Sequence, residues 1–197
     1  MNPLLAAAAH VLDLDETPRR LAPDHPTGWR TAHWKIKTAT GDRVARAHHE
    51  AHAVTLLHAA GLYPARGVHG HLGEGVWTAV EWRPGTTVWD LCAPAREGRV
   101  PTPGFEQELL DVAHAAFDAL ARLHTAGWHH GDVQPANIVV TESGDVEFID
   151  LDFTQHPTLL PLPYPYRGGM DHVTAPEIAE RLLHTTTDVH LELTDAA

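Results

Sequence analysis

Two short apolar runs on either side of a single turn place the tightest constraint on how this chain can fold. The runs occupy residues 138–141 and 146–149, and a Glu-Ser-Gly-Asp turn lies between them. Runs of β-branched and aromatic residues around such a turn predict a β-hairpin. If the turn is centred between its Ser and its Gly, antiparallel pairing sets Asn137 opposite Asp150. The sequence therefore predicts that two oxygen-bearing side chains meet at the open end of this hairpin.

Asp132 adds a third oxygen-bearing side chain to the same region. It lies on the loop that leads into the hairpin, before Asn137, so its carboxylate can face the same spot. An Asp base with Asn and Asp ligands for Mg²⁺ is the minimal equipment for phosphoryl transfer, in which positioning and charge neutralisation supply most of the catalysis. We therefore predict Asp132 as a catalytic base, with Asn137 and Asp150 as metal ligands.

The segment well upstream of this region predicts a strand followed by a helix. Residues 31–40 alternate in polarity, which places Lys35 and Lys37 on one face of the strand. Residues 43–60 have a helical pattern, and Glu50 falls on its apolar stripe. Because a carboxylate on an apolar stripe needs a cation when it is buried, Glu50 is predicted to pair with one.

Further strands and helices follow along the chain. Residues 68–71 and 76–81 predict two strands joined by a Gly-containing turn, and residues 86–93 predict a short helix. A Pro/Gly-rich connector, 94–103, then leads into a long helix. Internal repeats are absent from the sequence.

Capping residues predict where the two long helices begin and end. For the first helix, Asp42 is the expected N-cap and Gly61 the expected stop. For the second, Pro103 is expected at the first helical position, before an apolar stripe over 105–123. Gly127 is the expected end of that helix.

Composition excludes several classes of protein. With 26 acidic and 14 basic residues the formal net charge is −12, which argues against a nucleic-acid partner. No apolar run approaches the roughly 20 residues that a membrane-spanning helix needs. Cys92 is the single cysteine and cannot form an internal disulfide, so we expect a cytoplasmic protein.

The 17 histidines raise the question of a metal site. Residues 48–52 superficially resemble the HExxH zinc motif, but the position of the second ligand is occupied by Ala53. His48 and His52 are four residues apart and could share a metal. A solvated helix face is the interpretation that the spacing favours.

The motifs around Asp132 resemble those of the protein-kinase-like superfamily. His-Gly-Asp at 130–132 with Asn137 is similar to the catalytic loop, and residues 149–152 are similar to the DFG segment. The His-Gly-Asp form is similar to that of aminoglycoside and choline phosphotransferases. Ala-Pro-Glu at 175–177 is instead similar to the APE motif of protein kinases, including small bacterial Ser/Thr kinases.

This resemblance covers about residues 31–195 and implies an α+β, bilobal, protein-kinase-like fold. The N-terminal lobe would be small and β-rich and would comprise residues 1–83, with the helix that carries Glu50. The C-terminal lobe, residues 84–197, would be shortened and mainly helical. Because few residues follow the APE motif, we expect either a homo- or hetero-oligomer in which a partner covers the central helix, or a truncated form of a longer kinase.

The resemblance also implies how ATP and Mg²⁺ would be bound. Lys37, or failing that Lys35, would hold the α- and β-phosphates, and Glu50 would pair with that lysine. Glu81 and Arg83, with Trp82 between them, fall where the family's hinge presents backbone groups to adenine.

The remaining motif positions imply roles in the reaction itself. Asp132 would orient the acceptor hydroxyl, while Asn137 and Asp150 would hold Mg²⁺ and Asp152 would assist. Gln134 stands where Ser/Thr kinases have a Lys that contacts the transferred phosphate, and no Gly-rich loop precedes the two lysines.

Three functions follow as expectations. The first is a kinase that acts on Ser/Thr hydroxyls of a protein or peptide, such as a precursor peptide. The second is a small-molecule phosphotransferase with an aminoglycoside-like or choline-like acceptor. The third is a pseudokinase, or a non-catalytic subunit of a split assembly.

Overall fold

A computed structural model describes residues 2–21, 27–100, 102–159 and 176–184. The chain is α+β, and it divides between Arg83 and Pro84 into two compact units. The predicted boundary between residues 83 and 84 lies at the same position, and Leu159 groups with the first unit. Within the described ranges, no helix combines the length and apolar character that crossing a bilayer requires.

The first unit is an antiparallel sheet with helices. Its strands follow the order β1-β2-β3-β5-β4, so the fourth strand lies at an edge. A short 3₁₀ turn precedes the second helix. The elements are α1 (Pro3–Val11), β1 (Arg19–Arg20), β2 (Gly28–Arg30), β3 (Trp34–Ala39), the 3₁₀ turn (Gly41–Arg43), α2 (Val44–Ala59), β4 (Gly67–Leu72) and β5 (Gly75–Glu81).

Apolar side chains from α1 pack on one face of this sheet. Ile36, on β3, is fully buried there, and burying a side chain of that size contributes about 1.5–3 kcal/mol. The cluster comprises Leu4, Leu5, Ala8, Trp29, Ile36, Trp77 and Ala79. Because neighbouring residues of a strand point to opposite faces, Lys35 and Lys37 lie on the other face, as the alternation predicts.

The second unit contains a smaller antiparallel sheet, in the order β6-β7-β8, and the longest helix of the chain's described part. Two further 3₁₀ turns flank the hairpin formed by β7 and β8. The elements are β6 (Gly85–Thr87), α3 (Val88–Leu91), α4 (Ala93–Arg96), α5 (Phe105–Thr125), a 3₁₀ turn (Pro135–Asn137), β7 (Ile138–Thr141), β8 (Val146–Phe148), a second 3₁₀ turn (Leu151–Phe153) and α6 (Pro176–His184).

The starts of the two long helices differ from the prediction. Asp42 lies inside the 3₁₀ turn, and Arg43 takes the N-cap position of α2 without a capping side-chain hydrogen bond. Gly104 is the N-cap of α5 with φ +89°, so Pro103 precedes the helix and is not its first residue. A left-handed glycine interrupts the helical path, which moves the start of α5 to Phe105.

The ends of these helices match the prediction. Gly61 and Gly127 follow α2 and α5 with φ of +70° and +79°, the conformation in which glycine commonly ends a helix. The predicted short helix over 86–93 is only partly correct. Thr86 and Thr87 pair with β7 as a strand, and α3 begins after them.

The predicted apolar stripe of α5 is buried or half-buried along its length. Leu110 and Phe117 lie on a different face of this helix and are 54% and 67% exposed. This exposure is what the expected partner would cover, and the oligomer stays a prediction. In the APE motif, Ala175 lies outside the described residues, and α6 begins at the proline that follows it.

Candidate active site

The hairpin forms as predicted, but its register differs by one residue. Ile138 pairs with Phe148, and the backbone N–H of Ile149 donates to the carbonyl of Asn137 at 2.9 Å. Asn137 therefore lies opposite Ile149 and not opposite Asp150. The loop has three residues and ends in Gly144 at φ +87°, so its centre falls on a residue and not between two.

Asp132 and Asn137 are joined directly by hydrogen bonds. The Asn137 Nδ2 group donates to the Asp132 Oδ2 atom at 2.8 Å and to the Asp132 backbone carbonyl at 3.0 Å. A primary amide has two N–H donors, so both are used on Asp132. The oxygen of the Asn137 amide is then the atom that the side chain can offer to a cation.

A second amide holds the same carboxylate oxygen. Gln134 Nε2 donates to Asp132 Oδ2 at 2.9 Å. With two donors on Oδ2, the carboxylate is fixed in orientation, and Oδ1 is the oxygen that neither of these amides holds. The loop thus aims one oxygen of Asp132 by means of two neutral amides.

His130 connects this loop to the end of β8. Its ring is fully buried and lies 5.3 Å, between centroids, from that of Phe148. The backbone N–H of Asp132 donates to His130 Nδ1 at 3.2 Å, so the proton of the neutral ring is on Nε2, which donates to the Ile149 carbonyl at 3.1 Å. The sequence alone predicts no separate role for His130. Its position in the His-Gly-Asp motif was the signal.

Asp150 adopts a left-handed backbone conformation with φ +66° at the start of a 3₁₀ turn. This conformation is uncommon for residues other than glycine, although Asp and Asn tolerate it best. Strained backbone of this kind costs about 1–3 kcal/mol and occurs often at functional sites. The turn redirects the chain immediately after Ile149, and carboxylate oxygens of Asp150 and Asp152 lie within 4.8 Å of each other.

The donor set of this loop and hairpin suits Mg²⁺. Asn137 offers an amide oxygen, and Asp150 and Asp152 offer carboxylates, which are the hard oxygen ligands that this ion prefers. Asn137 itself is buried, so its amide oxygen is held in a defined place. The residues present therefore fit the metal that the sequence motif implies.

In the first unit, Lys37 pairs with Glu50. The Lys37 ammonium lies 2.8 Å from both carboxylate oxygens of Glu50, whose side chain is 7% exposed. Strand β3 presents both lysines on the face opposite α1. The ion pair removes the ambiguity over which lysine meets the carboxylate on the apolar stripe of α2.

The predicted hinge residues have internal partners. The Glu81 carboxylate accepts hydrogen bonds from the backbone N–H of Arg66 at 2.9 Å and from its Nε at 3.0 Å. The N–H of Glu81 donates to the Arg66 carbonyl, and that of Trp82 donates to the His33 carbonyl. The carboxylate of Glu81 is therefore bound to Arg66, at the start of the edge strand. The backbone N–H groups of Glu81 and Trp82 already donate to backbone carbonyls within the first unit, so they are not free to bind a nucleotide base.

A substitution in the Lys37–Glu50 pair tests its structural weight. Lys37→Met leaves the Glu50 carboxylate buried without its cation, so we expect the free energy of unfolding to fall by about 2 kcal/mol. Lys35→Met, the matched control on the same face of β3, is expected to cost clearly less. Denaturant titrations followed by circular dichroism measure both values. Equal losses for the two lysines would contradict the importance of the pair.

A double variant separates the pair from the individual side chains. Lys37→Met together with Glu50→Gln removes both charges, so its loss of stability is expected to be smaller than the sum of the two single losses. Strict additivity would show that the two groups are not energetically coupled.

No protein-family model matches this chain. Among solved structures, it is similar to the crystal structure of monomeric WbdD, with a TM-score of 0.50 and 20% sequence identity. The similarity covers 66% of this chain and 32% of that chain, so this chain spans about a third of the length of WbdD. At this level of identity the likeness is one of fold alone.

In total, 1594 chains of solved structures match this chain, so its fold is a common one. A fold shared so broadly does not by itself assign an activity. The function has to be argued from the side chains of the site.

Proposed function

We propose that this protein transfers the γ-phosphate of ATP to a hydroxyl group in an Mg²⁺-dependent reaction. The observation that carries the proposal is the double hydrogen bond from the Asn137 amide to Asp132. It ties a candidate base to a candidate metal ligand within one short loop. Chemistry that needs a base and a cation side by side accounts for this arrangement directly.

Asp132 is the catalytic base in this proposal. Its Oδ2 atom is held by Asn137 and Gln134, so Oδ1 is presented to the acceptor hydroxyl in a fixed direction. A base held in this way accepts the hydroxyl proton as the hydroxyl oxygen bonds to the γ-phosphorus, while the bond from that phosphorus to the β–γ bridging oxygen breaks and ADP leaves. His130, which binds the Asp132 N–H, is a positioning residue for the loop.

Asn137 and Asp150 are the metal ligands, and Asp152 assists them. When bound there, Mg²⁺ would neutralise charge on the β- and γ-phosphates of ATP. The left-handed turn at Asp150 sets its carboxylate immediately after the strand that is bonded to Asn137. The backbone strain at this residue is consistent with a functional role.

Lys37 binds the α- and β-phosphates of the nucleotide, and Glu50 holds its ammonium in place. The 2.8 Å contacts to both Glu50 oxygens support this assignment over Lys35. We also propose that the two compact units are the lobes of a kinase-like fold. The five-stranded antiparallel sheet with the helix that carries Glu50 supports this for the first unit.

For the acceptor, we propose Ser or Thr hydroxyls of a protein or peptide, on the strength of the Ala-Pro-Glu motif. Gln134 favours a second candidate, a small-molecule hydroxyl. The Gln134 amide donates to Asp132, and this uncharged side chain occupies the position at which protein kinases have a lysine. The two candidates share the base and the metal ligands, and they differ only in what enters the site.

An acceptor panel distinguishes these candidates. The protein is incubated with γ-labelled ATP and Mg²⁺, together with Ser/Thr-containing peptides or with aminoglycosides and choline. We expect label on the peptides and none on the same peptides with Ala in place of Ser and Thr. Label on the small molecules alone would establish the second candidate. The absence of transfer to any acceptor, with Mg²⁺-ATP bound, would point to a non-catalytic protein.

A further inference from the structure

Three histidine rings from two different elements of the first unit lie side by side. His48 is on α2, and His69 and His71 are on β4. The distances between ring centroids are 4.7 Å for His48 and His71, 6.0 Å for His48 and His69, and 6.4 Å for His69 and His71. We name these three residues the histidine cluster.

The fold explains why the three side chains meet. His69 and His71 are two positions apart on an edge strand and therefore share a face of the sheet. His71 is paired with Val76, and Val76 packs against Ala47 of α2, so this face is the one that α2 covers. His48 is the next residue of that helix, and its ring lies against the two strand histidines.

The chemical state of the cluster suits a metal ligand. Burial, and then the neighbouring His71 and His69, lower the pKa of His48 below its ordinary value, which favours the neutral ring. The neutral imidazole is the form that binds Zn²⁺ and similar metals. His69 and His71 are exposed and His48 is half-buried, so an ion can reach the rings from solvent.

We propose that His48, His69 and His71 form a site for a borderline divalent cation such as Zn²⁺, separate from the residues proposed for phosphotransfer. With a metal-to-nitrogen distance of about 2.0 Å and tetrahedral angles, three bound imidazoles have centroids about 5 Å apart. The His48–His71 separation of 4.7 Å is close to that spacing, and the two separations that involve His69 are longer, at 6.0 and 6.4 Å. Three protein ligands leave the fourth position to water.

Binding requires small side-chain rotations. The ring nitrogens of the three residues do not all lie within 4.8 Å of one another. His69 and His71 are exposed. Exposed side chains change rotamer within picoseconds to nanoseconds, so these two rings can reorient rapidly. Metal binding would then cross-link α2 to β4.

The cluster differs from the pair that helical spacing suggests. His48 and His52 are four apart on α2, but the ring contacts of His48 in the described structure are with the strand residues. Variants of His52 are therefore a matched control for variants of the cluster. His114, an exposed histidine of α5, controls for adventitious binding to surface imidazoles, of which this sequence offers many.

Zinc titration of the full chain by calorimetry tests the proposal, with Mg²⁺ present in excess and no nucleotide. We expect one saturable Zn²⁺ per chain and a rise in melting temperature with Zn²⁺. His69→Ala and His71→Ala should each weaken binding by at least about tenfold, because even the outer-shell partners of metal ligands contribute roughly 10–100-fold. These two residues are exposed, so folding should be unaffected, as circular dichroism would verify.

The control variants define which results would contradict the proposed metal site. His52→Ala, His114→Ala and Asp150→Asn are expected to leave Zn²⁺ affinity and stoichiometry unchanged. The absence of saturable binding would refute the proposal. So would equal losses in the cluster variants and in His52→Ala or His114→Ala. Since Asp150→Asn affects only the proposed phosphotransfer site, this experiment succeeds or fails independently of the proposed function.

Discussion

Replacing Asp132 with Asn lowers turnover by about 10²–10⁴-fold while the dissociation constant of ATP changes little. The amide keeps the size of the side chain but cannot accept the proton of the acceptor hydroxyl at Oδ1. Since Asp132 acts on the acceptor and not on the nucleotide, binding of Mg²⁺-ATP should survive. ADP release at saturating substrates and calorimetric titration with a non-hydrolysable ATP analogue measure the two quantities.

Asp118→Asn is the matched control, because it makes the same chemical change on the exposed surface of α5. We expect this control to have the activity of the unmodified protein. If Asp132→Asn weakened nucleotide binding as strongly as turnover, the role assigned to Asp132 would be wrong. If it left turnover unchanged, Asp132 would not be the base.

Replacing Asp150 with Asn removes Mg²⁺-dependent ATP binding and, with it, turnover. The apparent affinity should fall by about two orders of magnitude, because a bound metal contributes several kcal/mol of charge stabilisation that a neutral ligand set does not retain. Asparagine tolerates the left-handed conformation of Asp150 as well as aspartate does, so the loss would not arise from misfolding.

Chelation provides the comparison for this variant. Removing Mg²⁺ from the unmodified protein with EDTA should reproduce the loss of ATP binding seen in Asp150→Asn. Asp145→Asn, an exposed change in the loop of the same hairpin, should bind ATP normally. Unchanged turnover in Asp150→Asn would remove this residue from the site.

Local sequence patterns predict much of the secondary structure. Alternation around Ile36 predicts strand β3 and places Lys37 on the face opposite that residue, and the apolar stripe of α2 singles out Glu50 for a cation. Both features are repeated over several residues, so one exception does not obscure them. Helix ends at Gly61 and Gly127 are also local, because left-handed glycine ends a helix with little dependence on context.

Features that depend on one residue of spacing could not be predicted in the same way. The hairpin register is set by whether its loop has an even or an odd number of residues, and the sequence around Gly144 is compatible with both. A loop with an even number of residues places Asn137 opposite Asp150, whereas the observed loop of three residues places it opposite Ile149. The unpredicted helix start at Phe105 has a similar origin in the conformation of Gly104.

Local sequence patterns do not predict contacts between distant segments of the chain. Lys35 and Lys37 share a face, and only the packing of α2 on the sheet distinguishes the one that reaches Glu50. The histidine cluster depends on the same packing, since His48 is far in sequence from His69 and His71. Helical spacing within α2 allows His48 and His52 to share a metal but favours a solvated helix face, and no local signal points to β4.

Phosphate transfer from ATP by the unmodified protein and by Asp132→Asn, measured side by side, tests the central claim most directly. With saturating Mg²⁺-ATP and each acceptor class, supplemented by co-purified partners, we predict that γ-labelled phosphate appears on one acceptor as an equal amount of ADP forms. Both products should fall to background in Asp132→Asn. ATP consumption by the unmodified protein that never exceeds that of Asp132→Asn, with any acceptor, would contradict the assignment of this chain as a phosphotransferase.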